Sequence, residues 1–300
     1  MGNRSSFMVR VLGSSLLCGS FVLNGGCSAD EPFNPSFALV YADAKAVLRE
    51  MQRDPKPLQR PLIVVGGVHD PGFIAPGVVR KLQAVTSCDD RIISVSFFGP
   101  GLSTFEACGK HLVDAVEQAF PSDDPDITVK VDVVGFSMGG LVARLAAGPN
   151  SPGKRLNISR LFTISSPHRG ARLASLPTAD QRTIDMRPGS AFLADLDSHL
   201  SEADYELLAY TRLGDMIVGP ENASPPGMSP WWVANAPFSL AHLSASTDPR
   251  IIADIARRLR NEPPFATTPA APLPDEEPTG GEETSTRGNL GTSKAREGTK

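Results

Sequence analysis

Short, unbroken apolar runs alternate along this chain with longer stretches in which apolar residues return every third or fourth position. The runs are Pro61–Val65, Arg91–Phe98 (RIISVSFF), Ile127–Val134 (ITVKVDVV), Arg160–Ser165 (RLFTIS), Leu207–Leu213 and Trp231–Ala234. They are rich in β-branched and aromatic residues, which predicts buried strands. Helical spacing covers Ser36–Met51 (Val40, Ala44, Val47 and Leu48 on one face), Val78–Thr86, Phe105–Phe120 (Leu112, Val113, Val116, Phe120) and Met138–Ala147 (Leu141, Val142, Leu145). A last helix opens at Asp248-Pro249, a capping residue followed by Pro at the first position, and buries Ile251, Ile252, Ile255 and Leu259. Strands alternating with helices predict an α/β fold with a doubly wound, mostly parallel sheet. Residues 170–206 break the rhythm with polar loops and a short helix capped by Ser190, and they read as a small cap-like insertion.

The two ends of the chain follow other rules. Arg4 and Arg10 precede an apolar stretch from Val11 to Leu23 and then small residues, the pattern of an export signal over residues 1–29. The stretch is too short and too rich in Gly and Ser for a membrane span. Leu23-Asn24-Gly25-Gly26-Cys27 resembles the lipobox of bacterial lipoproteins, which implies lipidation at Cys27 and membrane attachment through it. Asn24 departs from that pattern, and cleavage after Cys27-Ser28-Ala29 is the alternative. Either way the expected location is the cell envelope or the exterior. Residues 30–60 form a lead-in, 61–261 the domain proper, and 262–300, rich in Pro, Gly and acidic residues, a disordered tail.

Charge and cysteines narrow the functional classes. A formal charge of −4, with no basic cluster carrying interleaved aromatics, argues against a nucleic-acid surface. Of the four cysteines, only Cys88 and Cys108 belong to the exported domain. Outside the cytoplasm they form a disulfide or stand as two separate buried thiols.

The candidate chemistry sits at one junction. Gly135-Phe136-Ser137-Met138-Gly139 is a G-x-S-x-G pattern between a predicted strand and a predicted helix. Such a turn strains its central residue and lifts the hydroxyl above the sheet edge, while the glycines make room for backbone on either side. A Ser hydroxyl needs a His beside it, and the His needs a carboxylate to hold its tautomer. For this elbow the chain order is Ser, acid, His. His69 and His111 precede Ser137, and no acidic residue separates Ser137 from His168. His199 lies in the irregular insertion, which leaves His242 in the loop before the last helix. Asp215 follows a strand and is the expected acid, with Asp185 as runner-up. The oxyanion donors are expected to be the backbone N–H of Met138 and that of Val68 or Gly67 in the loop after the first core strand.

The chain resembles the secreted bacterial lipases and esterases of the α/β-hydrolase superfamily, including relatives of the inositol-deacylase (PGAP-like) group. The blocks that carry this are GFSMGG (135–140), SSPHRGA (165–171), DMRPGSAFL (185–193), GDMIVGP (214–220) and AHLS (241–244). The resemblance implies the α/β-hydrolase fold and cleavage of small-molecule or lipid carboxylic esters through an acyl-enzyme. It implies Ser137, Asp215 and His242 as the triad, with no organic cofactor; the metal sites of some lipases do not carry over, because the chain has no matching ligand set. The family carries His-Gly after its first core strand, where this chain has Gly66-Gly67. An acyltransferase or thioesterase of the same fold, or a silent binding protein of the cell envelope, is the alternative.

Overall fold

A computed structural model describes residues 32–274, apart from His69, Pro71, Cys88, Pro152 and residues 236–239. The expected signal over 1–29, with Cys27, and residues 275–300 of the expected tail lie outside the described residues.

Among the described residues six strands form one sheet in the order β2-β1-β3-β4-β5-β6, and every neighbouring pair is parallel. They are β1 (Leu62–Val65), β2 (Ile92–Val95), β3 (Val131–Phe136), β4 (Ile158–Ile164), β5 (Glu206–Arg212) and β6 (Trp231–Val233). The main helices are α1 (Tyr41–Arg53), α2 (Ile74–Gln83), α3 (Phe105–Ala119), α4 (Met138–Ala147), α5 (Gln181–Asp185), α6 (Ala191–Ser198), α7 (Ala241–Ala245) and α8 (Pro249–Leu259).

Alternation along the strands builds two cores. Ile63, Val65, Val133 and Leu161 join the core under α3, α4 and α6. Leu62, Val64, Val134, Phe162 and Tyr210 join the one under α1, α2 and α8. Burial on both faces is why the strands read as continuous apolar runs. On α8, Ile251, Ile252, Ile255 and Leu259 are all buried, and each such side chain contributes about 2 kcal/mol. Successive strands run outward from β1 to β2, and the chain then returns to lay β3 on the other side of β1. That reversal opens a crevice at the carboxyl ends of β1 and β3, where open parallel sheets place their sites.

Several boundaries differ from the sequence expectation. The helix α2 starts at Ile74, before Val78, because Asp70 satisfies the N–H groups of its first turn. Only Ile92–Val95 of RIISVSFF pairs as a strand, and β3 runs up to Phe136 instead of ending at Val134. The insertion does carry a helix capped by Ser190, whose hydroxyl accepts from the N–H of Leu193 at 3.2 Å.

Two expectations are corrected. Residues 262–274 are not a free tail but are tied to the domain. The Trp231 indole donates to the Thr267 carbonyl, the Trp232 indole to those of Ala271 and Pro272, and Ala271 N–H to the Ser36 hydroxyl. Main-chain carbonyls of a Pro-rich segment accept hydrogen bonds as well as any others, so its composition did not prevent docking. Cys108 is a free, buried thiol whose Sγ approaches the Leu102 carbonyl at 3.6 Å, so the disulfide reading for it does not hold. Burial raises its pKa, which suits an inert core thiol.

Candidate active site

The turn between β3 and α4 has the geometry that its glycines allow. Ser137 sits at φ 53° and ψ −127°, a conformation that costs a non-glycine residue on the order of 1–3 kcal/mol. A Cβ on Gly135 would stand 2.6 Å from the backbone of Gly140, and one on Gly139 would stand 2.5 Å from the carbonyl oxygens of Val65 and Gly66. Strand and helix therefore meet at a distance that only glycine permits. Ser137 occupies the N-cap of α4, yet its side chain makes no capping bond. Its hydroxyl is turned to His242 instead.

Three side chains converge, Ser137 just after β3, Asp215 shortly after β5 and His242 on α7. His242 Nε2 lies 3.1 Å from Ser137 Oγ, and His242 Nδ1 lies 2.9 Å from Asp215 Oδ2. The other Asp215 oxygen accepts the N–H groups of Ile217 and Val218, each at 3.0 Å, which fixes the carboxylate plane. Burial pushes the Asp215 carboxyl up, but the hydrogen bond and charge of His242, with the Val218 N–H, outweigh this and bring it below the ordinary 3.8. The carboxylate thus stays ionised and holds Nδ1 as the protonated nitrogen, leaving Nε2 free to accept. The ring of His242 also rests on Phe136 at 5.1 Å between centroids.

The short helix carrying His242 is braced from below. Arg212 donates to the Ser244 hydroxyl and approaches Asp248 at 3.5 Å. Asp248 pairs with Arg250 at 2.8 Å, and Arg250 reaches the Ala234 carbonyl at 2.7 Å. These charges are buried, and their mutual pairing is what makes that burial tolerable.

The residues expected to supply the oxyanion donors belong to the two segments that meet at Ser137. Met138 opens α4, where a helix leaves its first N–H groups without partners in its own ladder. The loop after β1 presses on Ser137: a Cβ on Gly67 would stand 3.1 Å from Ser137 Cβ and 3.5 Å from its Oγ. Val68 follows directly and packs, partly buried, against the core under α4.

The runner-up acid is not brought to the triad. Asp185 ends α5, accepts from Gln181 Nε2 at 2.7 Å, and has its pKa raised by burial. His168, set aside by chain order, is fully buried just beyond β4. Its Nδ1 lies 3.1 Å from Arg144 and its Nε2 lies 3.0 Å from Thr163 Oγ1. A guanidinium only donates, so Nδ1 accepts and Nε2 carries the proton. Burial, then the charges of Arg144 and Arg169, hold this imidazole well below the ordinary 6.5. A cavity of about 210 Å³ opens at the amino end of β4, lined by Arg155, Leu156, His199 and Tyr205 among others. None of the converging triad residues lines it. Among the described residues no three of His, Cys, Asp and Glu gather as metal ligands.

One residue with a part in this geometry was not anticipated. Asp70, almost fully buried beside Gly66, accepts four backbone N–H groups. Its signal in the sequence is an acidic residue just ahead of a helix, masked by the intervening Pro71-Gly72.

The parallel sheet with its crevice, the strained elbow and the strand order decide the architecture. The fold is that of an α/β-hydrolase. Within it, residues 104–181 match the family model of the PGAP1-like alpha/beta domain, a span that includes the elbow and α3. Among curated proteins none matches. Solved structures to which the chain is similar include the phospholipase PlaB from Legionella pneumophila, at 12% identity and a TM-score of 0.49, covering 67% of this chain and 60% of that one. The Bacillus licheniformis lipase BlEst2 in its propeptide form shows 17% identity and a TM-score of 0.46, with 73% and 54% covered. The RedJ thioesterase of Streptomyces coelicolor shows 20% identity and a TM-score of 0.38, with 70% and 93% covered. The chain thus spans 60% of the phospholipase and 54% of the propeptide form of the lipase.

Proposed function

We propose that this α/β-hydrolase fold cleaves carboxylic esters by way of an acyl-enzyme. The observation that carries this is the buried line Ser137–His242–Asp215, with hydrogen-bond separations of 3.1 and 2.9 Å at a strained elbow. As Ser137 Oγ attacks the ester carbonyl, His242 Nε2 takes its proton, and Asp215 stabilises the imidazolium that forms. The negative charge that develops on the carbonyl oxygen falls between the N–H groups of Met138 and Val68. Collapse expels the alcohol, which takes the proton from His242. Water then repeats the sequence on the acyl-serine, and the acid leaves.

The apolar side chains of the insertion are mostly spent on packing. Met186, Leu193 and Leu196 are buried, and Phe192 stacks on Phe105 at 4.0 Å. Leu240 and Leu243 beside His242, and Met216 after Asp215, remain exposed. Arg169, Arg172, Asp180, Arg182, Asp185 and Arg187 interrupt the apolar side chains of the insertion and leave no broad apolar lid for an oil interface, which favours short- and medium-chain acyl groups over emulsified long-chain substrate. Export through residues 1–29, with attachment at Cys27, belongs to the same proposal.

The test is labelling with a fluorescent fluorophosphonate alongside a chain-length series of aryl esters. Wild type labels and turns over the shorter esters, and Ser137→Ala does neither. Equal labelling of Ser137→Ala overturns the nucleophile. A sharp rise in rate once long-chain ester forms an interface overturns the acyl-length preference.

A further inference from the structure

The loop after β1 departs from the family the chain resembles, with Gly66 where a histidine is usual. The structure shows what occupies that space. A Cβ on Gly66 would stand 2.6 Å from Asp70 Oδ2, so the carboxylate fills the room a side chain at 66 would take. From there Asp70 Oδ1 accepts the N–H groups of Gly72 at 3.0 Å and of Phe73 and Ile74 at 3.2 Å, and Oδ2 accepts that of Ala75 at 3.1 Å. A buried carboxylate with four N–H partners at the start of a helix is a rigid anchor.

The same loop is held from the other sides. Gly66 N–H continues the sheet by donating to the Val95 carbonyl at 2.9 Å, and the Gly66 carbonyl lies under Gly139 at the first turn of α4. Gly67 lies against Ser137. The backbone at 66–68 is therefore wedged between the nucleophile and Asp70, and the fixed end of that wedge is α2.

We propose that Asp70 is a positioning residue for the oxyanion loop: its carboxylate, seated where Gly66 has no side chain, ties the backbone at 66–68 to the N-terminus of α2. The proposal rests on the ester-hydrolase reading for its kinetic consequence, though the tie itself does not. Asp70 touches no reacting atom. It acts by keeping an N–H donor at a fixed distance from Ser137, where a misplaced donor loses transition-state binding and leaves ground-state binding alone.

The experiment compares Asp70→Ala, Asp70→Asn, Gly66→Ala and the double variant Gly66→Ala/Asp70→Ala, with rates expressed per site titrated by fluorophosphonate. That normalisation removes any loss of folded protein. Asp70→Ala is expected to lower kcat about 10–100-fold with KM within about twofold. Asp70→Asn, which keeps the Oδ1 bonds, falls between it and wild type. Gly66→Ala should match Asp70→Ala, and the double variant should be no worse than either, because both changes remove one contact. An unchanged kcat per titrated site in Asp70→Ala, or fully additive losses in the double variant, overturns the proposal. Amide hydrogen exchange at Gly67, Val68 and Phe73–Ala75 reads the tie without any substrate. Asp70→Ala should quicken exchange at both segments about tenfold or more, and unchanged exchange at Gly67 and Val68 overturns it. A wild type that neither labels nor turns over esters refutes the hydrolase reading, and the exchange measurement then decides the tie by itself.

Discussion

His242 and His168 lie beyond strands of the same sheet, both are buried, and both hydrogen-bond through each ring nitrogen. What differs is the sign of the neighbour at Nδ1. Asp215 faces the Nδ1 of His242, so a proton arriving at Nε2 finds a carboxylate to balance it. Arg144 faces the Nδ1 of His168, so a second proton there meets a guanidinium instead. Burial alone does not make an imidazole a base. It strengthens whichever charge stands next to the ring. His168 is a fixed strut between Arg144 on α4 and Thr163 on β4, and Arg144 extends the strut to Asp197 at 2.8 Å in the insertion.

The largest effects that would break this contrast are at the triad. Ser137→Ala and His242→Ala should each lower ester turnover by about 10⁵–10⁶-fold, with the thermal unfolding midpoint little changed. Retention of substantial turnover in His242→Ala would make the two histidines equivalent. Asp215→Asn should lower kcat by about 10⁴-fold, because an amide can donate to Nδ1 and hold the wrong tautomer. A near-silent Asp215→Asn would remove the charge argument at its root.

His168 predicts a stability effect with no catalytic counterpart. Its folded pKa is depressed below the ordinary 6.5, so the unfolded chain binds a proton that the folded chain refuses. Stability is then full above about pH 6.5 and falls as the pH drops below it, by about 1.4 kcal/mol per pH unit for this one group. Urea unfolding of wild type against His168→Gln between pH 7 and 5 should show the slope diminished in the variant. His168→Ala should cost about 2–4 kcal/mol by leaving a cavity and by removing the partner of Arg144 Nη1 and of the Thr163 hydroxyl, while kcat per titrated site stays within a few-fold of wild type. A proportional collapse of kcat per site would move His168 into the catalytic machinery. The smallest effect belongs to Asp185→Asn, where ester turnover should change less than about twofold, since Gln181 is the partner of that carboxylate.

Legibility in the sequence followed the range of the interaction. The elbow could be read because its chemistry is local: two glycines, a strand before and a helix after. His242 and Asp215 could be reached by chain order and by position at strand ends, although 105 residues separate His242 from Ser137. His168 could be excluded as the base, but its partner Arg144 could not be named, since nothing in the spacing shows that α4 and the β4 loop meet there. The segment 262–274 escapes the sequence for a different reason. Pro, Gly and acidic residues dominate the composition from 262 onward, while the docking rests on main-chain hydrogen bonds in both directions and on a few apolar side chains: Ala266 and Leu273 are buried and Phe265 packs against the core. Gly66 was seen as a departure from the family pattern, while the carboxylate four residues on that fills its place was not.

The docked segment 262–274 has a consequence for how the sheet meets other chains. The outermost strand on that side is β6, and the exposed flank of a parallel sheet is a template on which a stray strand can pair. Here the Trp232 carbonyl is taken by the Asn34 side chain at 2.7 Å, and the two indoles are engaged by the segment lying alongside. Pro269 and Pro272 within that segment cannot donate to a ladder themselves. The segment thus lies against the two indoles of this edge strand and adds no strand to the sheet. A chain stopped at Glu262 would uncover that flank, and its first failure should be self-association at high concentration, ahead of any loss at the triad.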